Sequence, residues 1–216
     1  MYKLYYANLY GRAEPIRILL NHAKIPFEDF RFEFSGWPAI RDNFEFKQVP
    51  ALEITDAEGK VTQYTQSISI LRYLAIRHGY YPTDDAEQAW EIDSVLDAVS
   101  DLFSGLVKIV WEKDPETKAN NASEFIGGAY PTILKALSNR LAQNGTKFIA
   151  GDKITAADFH FGNFVVSVVY NELREKMGDV DHFKIIFEQH EPLVKYAETI
   201  KAEFGAYLET RPKCPR

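Results

Sequence analysis

Apolar positions along this chain of 216 residues mix strand and helical spacing up to about residue 78 and are helical throughout beyond it. Residues 2–7 (Tyr-Lys-Leu-Tyr-Tyr-Ala) are short, apolar and aromatic, which predicts a buried strand. Asn8 to Arg12 form a Gly-containing turn. Ile16, Leu19, Leu20 and Ala23 then fall at helical spacing, and Pro15 is compatible with that helix because it lies in the first turn. Phe30, Phe32 and Phe34 alternate with Asp29, Arg31 and Glu33, a strand with two unlike faces. Residues 51–55 and 60–64 read as two strands joined by Asp56-Ala57-Glu58-Gly59, a hairpin with a Gly-bearing loop. Ile68, Leu71, Leu74 and Ala75 continue as a helix to His78-Gly79.

The segment Gly79-Tyr-Tyr-Pro-Thr-Asp-Asp85 breaks this pattern and reads as a linker. Beyond it every apolar period is helical. One long helix is expected from about Ala86 to Trp111, and Asp114-Pro115-Glu116 restarts the next, with Asp as N-cap and Pro as first helical residue. Thr155 and Asp158 form a capping box in which Asp replaces the usual Glu or Gln. Ile154 and Phe159 supply its hydrophobic staple. The expected division is an α/β unit over residues 1–80, a linker over 81–86 and an all-helical unit over 87–216.

Composition narrows the function. Lys and Arg total 25 against 31 Asp and Glu, a net charge of −6 that argues against nucleic-acid or anionic-membrane binding. The longest apolar stretch, Phe164 to Tyr170, is too short to span a bilayer. Cys214 is the only cysteine, so no intrachain disulfide is possible, which suits a reducing compartment. With a strand-like segment at the start in place of a signal sequence, the expectation is a soluble, cytoplasmic protein.

Two short motifs carry candidate chemistry. In Gln48-Val49-Pro50, a proline opening a strand leaves its neighbour's backbone groups free. A cis Val49-Pro50 bond would let Val49 offer both its N–H and C=O to an extended peptide. In Gln66-Ser67, Ser67 starts a helix whose free N–H groups and dipole favour a carboxylate. Taken singly, Pro50 only starts a strand and Ser67 only caps a helix.

Together with the opening Tyr2-Lys3-Leu4-Tyr5-Tyr6-Ala7-Asn8-Leu9-Tyr10-Gly11-Arg12-Ala13-Glu14, with Trp37-Pro38, and with Phe46 to Pro50, these residues resemble a cytosolic glutathione transferase, most closely the sigma class. The resemblance covers essentially the whole chain. It implies a thioredoxin-like N-terminal domain, an all-α C-terminal domain, glutathione as co-substrate and a homodimer. Tyr6 matches the family's catalytic Tyr, whose phenol stabilises the glutathione thiolate, and Arg12 sits beside the sulfur. Tyr5 is chemically identical, but strand alternation puts it on the opposite face. Trp37 and Arg41 match contacts to the glycine end of the peptide. Gln48, Val49 and Pro50 match contacts to its cysteinyl backbone, and Gln66 and Ser67 to its γ-glutamyl carboxylate.

Asp93, Asp97 and Asp101 form one acidic helix face, which on charge alone reads as solvated. The resemblance implies that Asp101 reaches the partner subunit's glutathione amine. Some sigma enzymes hold a divalent cation nearby, but Ser100 replaces one of its acids, so no required metal is expected. Ala7, Tyr10, Phe103, Trp111 and the tail near Pro212 are candidates for the electrophile pocket; their ordinary role would be core packing. The leading reading is glutathione conjugation to hydrophobic electrophiles. The alternatives are a prostaglandin-type glutathione-dependent isomerase and a non-catalytic, crystallin-like binding protein.

Overall fold

The structure, a computed structural model, describes residues 1–175 and 181–214. Of the helical region expected over 87–216, residues 176–180 and 215–216 lie outside the described residues. The N-terminal half is a four-stranded mixed sheet of order β2-β1-β3-β4, formed by β1 (Tyr2–Ala7), β2 (Phe27–Phe32), β3 (Ala51–Thr55) and β4 (Val61–Thr65). β1 pairs parallel with β2 and antiparallel with β3, and β3 pairs antiparallel with β4. This is the thioredoxin-like arrangement. Helix α1 (Glu14–His22) links β1 to β2, the short α2 (Trp37–Ile40) follows, and α3 (Ser67–His78) ends on Gly79 in the left-handed conformation. The hairpin closes as read, with Asp56 Oδ1 accepting from the N–H groups of Glu58 and Lys60 at 3.1 and 2.8 Å.

The helical half contains α4 (Ala86–Val110), α5 (Pro115–Gly127), α6 (Ala129–Asn144), α7 (Ala156–Phe164), α8 (Glu172–Glu175), α9 (Asp181–Glu188) and α10 (Glu191–Thr210). Asp85 and Asp114 cap α4 and α5 by accepting from Gln88 N and Thr117 N at 2.9 and 2.8 Å. The Thr155–Asp158 capping box is present. Its carboxylate accepts from Thr155 N and Oγ1, and also from Ile149 N and the Tyr196 hydroxyl. Burial pushes that carboxyl up to about 6 against the pull of these four donors.

The two halves meet along α1, which packs on α7 and α10. Ala156 N donates to Tyr80 O at 3.0 Å, and the Phe159 ring lies edge-on to Tyr80 and stacks on Phe204. The acidic face of α4 is partly neutralised: Asp93 pairs with Arg72 at 2.9 Å and accepts from the Tyr81 hydroxyl at 3.0 Å, while Asp97 and Asp101 are exposed.

Three features depart from the sequence pattern. β2 stops at Phe32, and Phe34 opens a separate turn of 3-10 helix over Phe34–Gly36, where Gly36 and Pro38 end strand geometry. The inward face of β2 carries Asp29 and Arg31 beside Phe27. Fully buried Arg17 on α1 needs partners, and Asp29 supplies one at 3.0 Å while holding Arg31 at 2.7 Å; Phe30 faces outward against Tyr5. The apolar run after Phe164 leaves α-helical geometry and forms a π-helical turn, Val165–Val169, all of it buried.

Candidate functional site

A cleft of about 560 Å³ opens between the two halves. Its floor is the β1–α1 turn, one wall is the segment before β3 with the start of α3, and the opposite wall is the upper half of α4.

Tyr6 projects into this cleft from the end of β1. Tyr5 lies on the other face of the sheet, with its hydroxyl on Glu53 Oε2 at 2.8 Å and its ring against Phe30 and Phe44. The Tyr6 oxygen accepts from the backbone N–H of Arg12 at 3.1 Å, and the Arg17 guanidinium lies 5.7 Å from the ring centroid. Burial pushes the hydroxyl above the ordinary phenol range, opposed by the Arg12 bond and by the charges of Arg12 and Arg17. Tyr6 is therefore a neutral donor at physiological pH. Its acceptor lone pair is engaged by Arg12, which leaves its proton for a group in the cleft.

Gly11 makes this approach possible. Its φ is +46°, and a Cβ there would stand 2.6 Å from Tyr6 Oη and 2.5 Å from Leu9 Cδ1.

The Val49-Pro50 bond is cis, and among the described residues no hydrogen bond engages the Val49 N–H or C=O. Gln66 holds φ +69° and ψ 113°, outside the left-handed helical well that a non-glycine residue tolerates at positive φ. Its side chain donates to Gln48 Oε1 at 3.3 Å. Ser67 follows as the first residue of α3, with the open N–H groups of that helix beside it. Free edge groups at Val49, a helix N-terminus at Ser67 and a neutral phenol at Tyr6 can receive an extended peptide carrying a carboxylate at one place and a thiol at another.

The sequence agrees with this geometry. Residues 2–76 match the family model for the glutathione S-transferase N-terminal domain, and residues 100–211 match that for the C-terminal domain. The chain belongs to the glutathione S-transferase family. It is 33% identical over 211 residues to glutathione S-transferase 2 of Manduca sexta, covering 97% of this chain and 96% of that one. It is 35% identical over 215 residues to hematopoietic prostaglandin D synthase of Gallus gallus, covering 98% and 97%. The solved structure described as Fasciola hepatica sigma class GST matches with a TM-score of 0.83 at 29% identity, covering 100% of this chain and 98% of that one. The protein is a glutathione transferase, and glutathione is its co-substrate.

The transferase brings Tyr6, Arg12, Trp37, Gln48, Val49 and Pro50 into one cleft with Gln66 and Ser67. Trp37 is held between two rings, stacked on Phe32 at 5.5 Å and on Phe44 at 5.8 Å. Arg41 does not line the cleft; it is half exposed and pairs with neighbouring Asp42 at 3.5 Å. Asp101 is exposed and also lies off this cleft.

Of the electrophile-pocket candidates, Ala7, Phe103 and Trp111 line the cleft. Tyr10 does not. It is buried beneath the Arg211 guanidinium, 4.0 Å from its ring, and its hydroxyl accepts from Cys214 N at 3.1 Å.

The cleft also uses residues to which the sequence reading gave no role. Lys47, at φ +50°, lines it and pairs with Asp42 at 3.0 Å. Phe34 meets Trp111 edge-on at 5.2 Å, so aromatic rings from the two halves touch at its rim. Ser167 and Val168 of the π-helical turn complete the helical wall. Only the Phe alternation and the apolar run hinted at these residues, and neither pattern signals a cleft. Among the described residues no cluster of three or more His, Cys, Asp or Glu is placed to hold a metal, and no helix is long and apolar enough to cross a membrane.

Proposed function

We propose that this transferase conjugates glutathione to hydrophobic electrophiles in the manner of the sigma class, with Tyr6 as the residue that stabilises the thiolate. The observation that carries this reading is the Arg12 N–H on the Tyr6 oxygen, which turns the phenol proton toward the cleft. A free thiol has a pKa near 8.5, and one hydrogen bond to its anion is worth roughly 1.5–3 kcal/mol, or one to two pKa units. The thiol proton leaves to solvent, the sulfur anion attacks an electrophilic carbon, and the C–S bond forms as the leaving group departs or the π-bond opens.

Around that sulfur, Val49 binds the cysteinyl backbone with both of its free groups, next to Gln48 and Pro50. Ser67 and Gln66 hold the γ-glutamyl carboxylate at the α3 N-terminus, Trp37 contacts the glycine end, which Arg41 reaches only by swinging away from Asp42, and Arg12 adds positive charge beside the sulfur. In this reading residues 1–80 bind glutathione, 81–86 link, and 87–216 supply much of the electrophile pocket through Phe103 and Trp111, with Ala7 from the first domain. A homodimer would bring Asp101 to the partner's glutathione amine, consistent with its exposure away from its own cleft. No step calls for a metal. The single cysteine fits a cytoplasmic setting.

The test is Tyr6→Phe, which should lower turnover about 10- to 100-fold while leaving the KM for glutathione near wild type. Unchanged turnover would overturn the reading. Likeness to a prostaglandin D synthase supports a second one, in which the same thiolate isomerises a prostaglandin endoperoxide without being consumed. Product analysis with such a substrate separates the two.

A further inference from the structure

Asn163 lies on α7, is fully buried, and has no counterpart in the reading above. Its Nδ2 donates to the carbonyl oxygen of Gly11 at 3.3 Å, across 152 residues of sequence. The Gly11–Arg12 peptide is trans, so its C=O and N–H point in opposite directions. The carbonyl meets Asn163, and the N–H meets the Tyr6 hydroxyl at 3.1 Å.

We infer that Asn163 is a positioning residue for Tyr6, acting through the Gly11–Arg12 peptide. The donors run in one direction: Asn163 amide to Gly11 carbonyl, Arg12 N–H to Tyr6 oxygen, Tyr6 proton to the thiolate. Each bond polarises the next toward the negative sulfur, and the first fixes the tilt of the peptide that aims the second. Two observations set Asn163 apart from a packing residue. Donating to the carbonyl of Gly11 turns the Asn163 oxygen the other way, and among the described residues that buried oxygen has no hydrogen-bond partner. An unmet buried acceptor costs about 1–3 kcal/mol, so an apolar residue of similar shape would suit the site better if packing were its only purpose. The Gly11–Arg12 peptide opens the 3-10 turn Gly11–Ala13 at a φ of +46°, and Asn163 braces that turn from α7, an element remote in sequence.

The inference rests on Tyr6 acting on the thiolate, and the test separates the two claims. The pKa of the bound glutathione thiol is measured by ultraviolet titration in wild type, Asn163→Leu, Tyr6→Phe and the double variant, with KM for glutathione and melting temperature alongside. Asn163→Leu should raise the thiol pKa by roughly 0.3–1 unit, a 2- to 10-fold loss of thiolate at a pH below that pKa, with KM for glutathione little changed. In the Tyr6→Phe background the same substitution should shift nothing, because the chain ends at the missing hydroxyl. Asn163→Ala serves in the same titration if the leucine variant does not fold.

A thiol pKa equal to wild type in the Asn163 variants, or an equal shift with and without the Tyr6 hydroxyl, would overturn the inference. A wild-type thiol that is not depressed, or that Tyr6→Phe leaves depressed, would instead overturn the Tyr6 reading beneath it.

Discussion

Arg211 Nη1 donates to Glu14 Oε1 at 2.9 Å, so the last residues of the described chain close on the start of α1. Glu14 is fully buried and also accepts from Arg17 at 3.2 Å and from the Tyr207 hydroxyl at 3.0 Å. Arg211 further reaches Ser167 Oγ and Val166 O in the π-helical turn. One guanidinium thus ties the β1–α1 turn, the cleft wall and the tail together.

Removing that guanidinium leaves Glu14 short of a partner in a dry site. Arg211→Met should lower the unfolding free energy by about 3 kcal/mol, the low end for a broken buried pair because Arg17 remains. Urea denaturation at constant m-value measures it. A loss below about 0.5 kcal/mol would mean that the tail is ornamental to the fold.

Gly11→Ala tests the floor of the cleft. The new methyl would strike Tyr6 Oη and Leu9 Cδ1 from a backbone at positive φ. Displacing the hydroxyl by about 1 Å should cost on the order of 100-fold in kcat/KM. Stability should fall only about 1–2 kcal/mol, the penalty for a Cβ at positive φ. Equal activity in the two proteins would show that the hydroxyl position does not matter.

His160 makes stability acid-sensitive. Its Nε2 shares a hydrogen bond with Ser100 Oγ at 3.2 Å, its ring stacks on Phe103, and its buried Nδ1 has no partner among the described residues. Burial, with a smaller contribution from Arg12, lowers its pKa from 6.5 to about 3. The unfolded chain binds this proton below 6.5 and the folded chain does not. Its stabilising share is therefore complete above 6.5 and falls by about 1.4 kcal/mol per pH unit as the pH drops toward 3. His160→Phe should flatten the stability profile between pH 6.5 and 4 relative to wild type. Parallel profiles would contradict the assignment.

Phe34 and Trp111 bridge the cleft rim from opposite halves. In the proposed function Trp111 faces the electrophile, so Trp111→Ala should raise the KM for a hydrophobic electrophile about 2- to 10-fold, matching about 0.5–1.5 kcal/mol for a lost aromatic partner. The KM for glutathione should stay constant. A rise in the glutathione KM alone would move Trp111 out of the electrophile pocket.

The sequence was most legible where the physics is local. Asp114-Pro115, the Thr155–Asp158 box and the Asp56–Gly59 loop each depend on atoms within four residues of one another, and each formed as read. Long-range demands were invisible. Asp29 and Arg31 of β2 turn inward because Arg17 is buried on another element, and nothing in the alternation of Phe30 and Phe32 announces that. The resemblance draws the electrophile pocket from the first turn and so points to Tyr10, yet Tyr10 is covered by Arg211, 201 positions away (211 − 10). The link between Asn163 and Gly11 was hidden for the same reason: an Asn inside an apolar helix carries no motif.

In the proposed function the Tyr6 hydroxyl, held by the Arg12 N–H, stabilises a glutathione thiolate. Its most direct measurement is the ultraviolet titration of bound glutathione in wild type and in Tyr6→Phe. The thiol pKa should lie one to two units below the free value of about 8.5 in wild type and return toward that value in the variant with glutathione still bound. Bound glutathione that stays protonated at neutral pH in both proteins would contradict it, and would favour a binding protein over a catalyst.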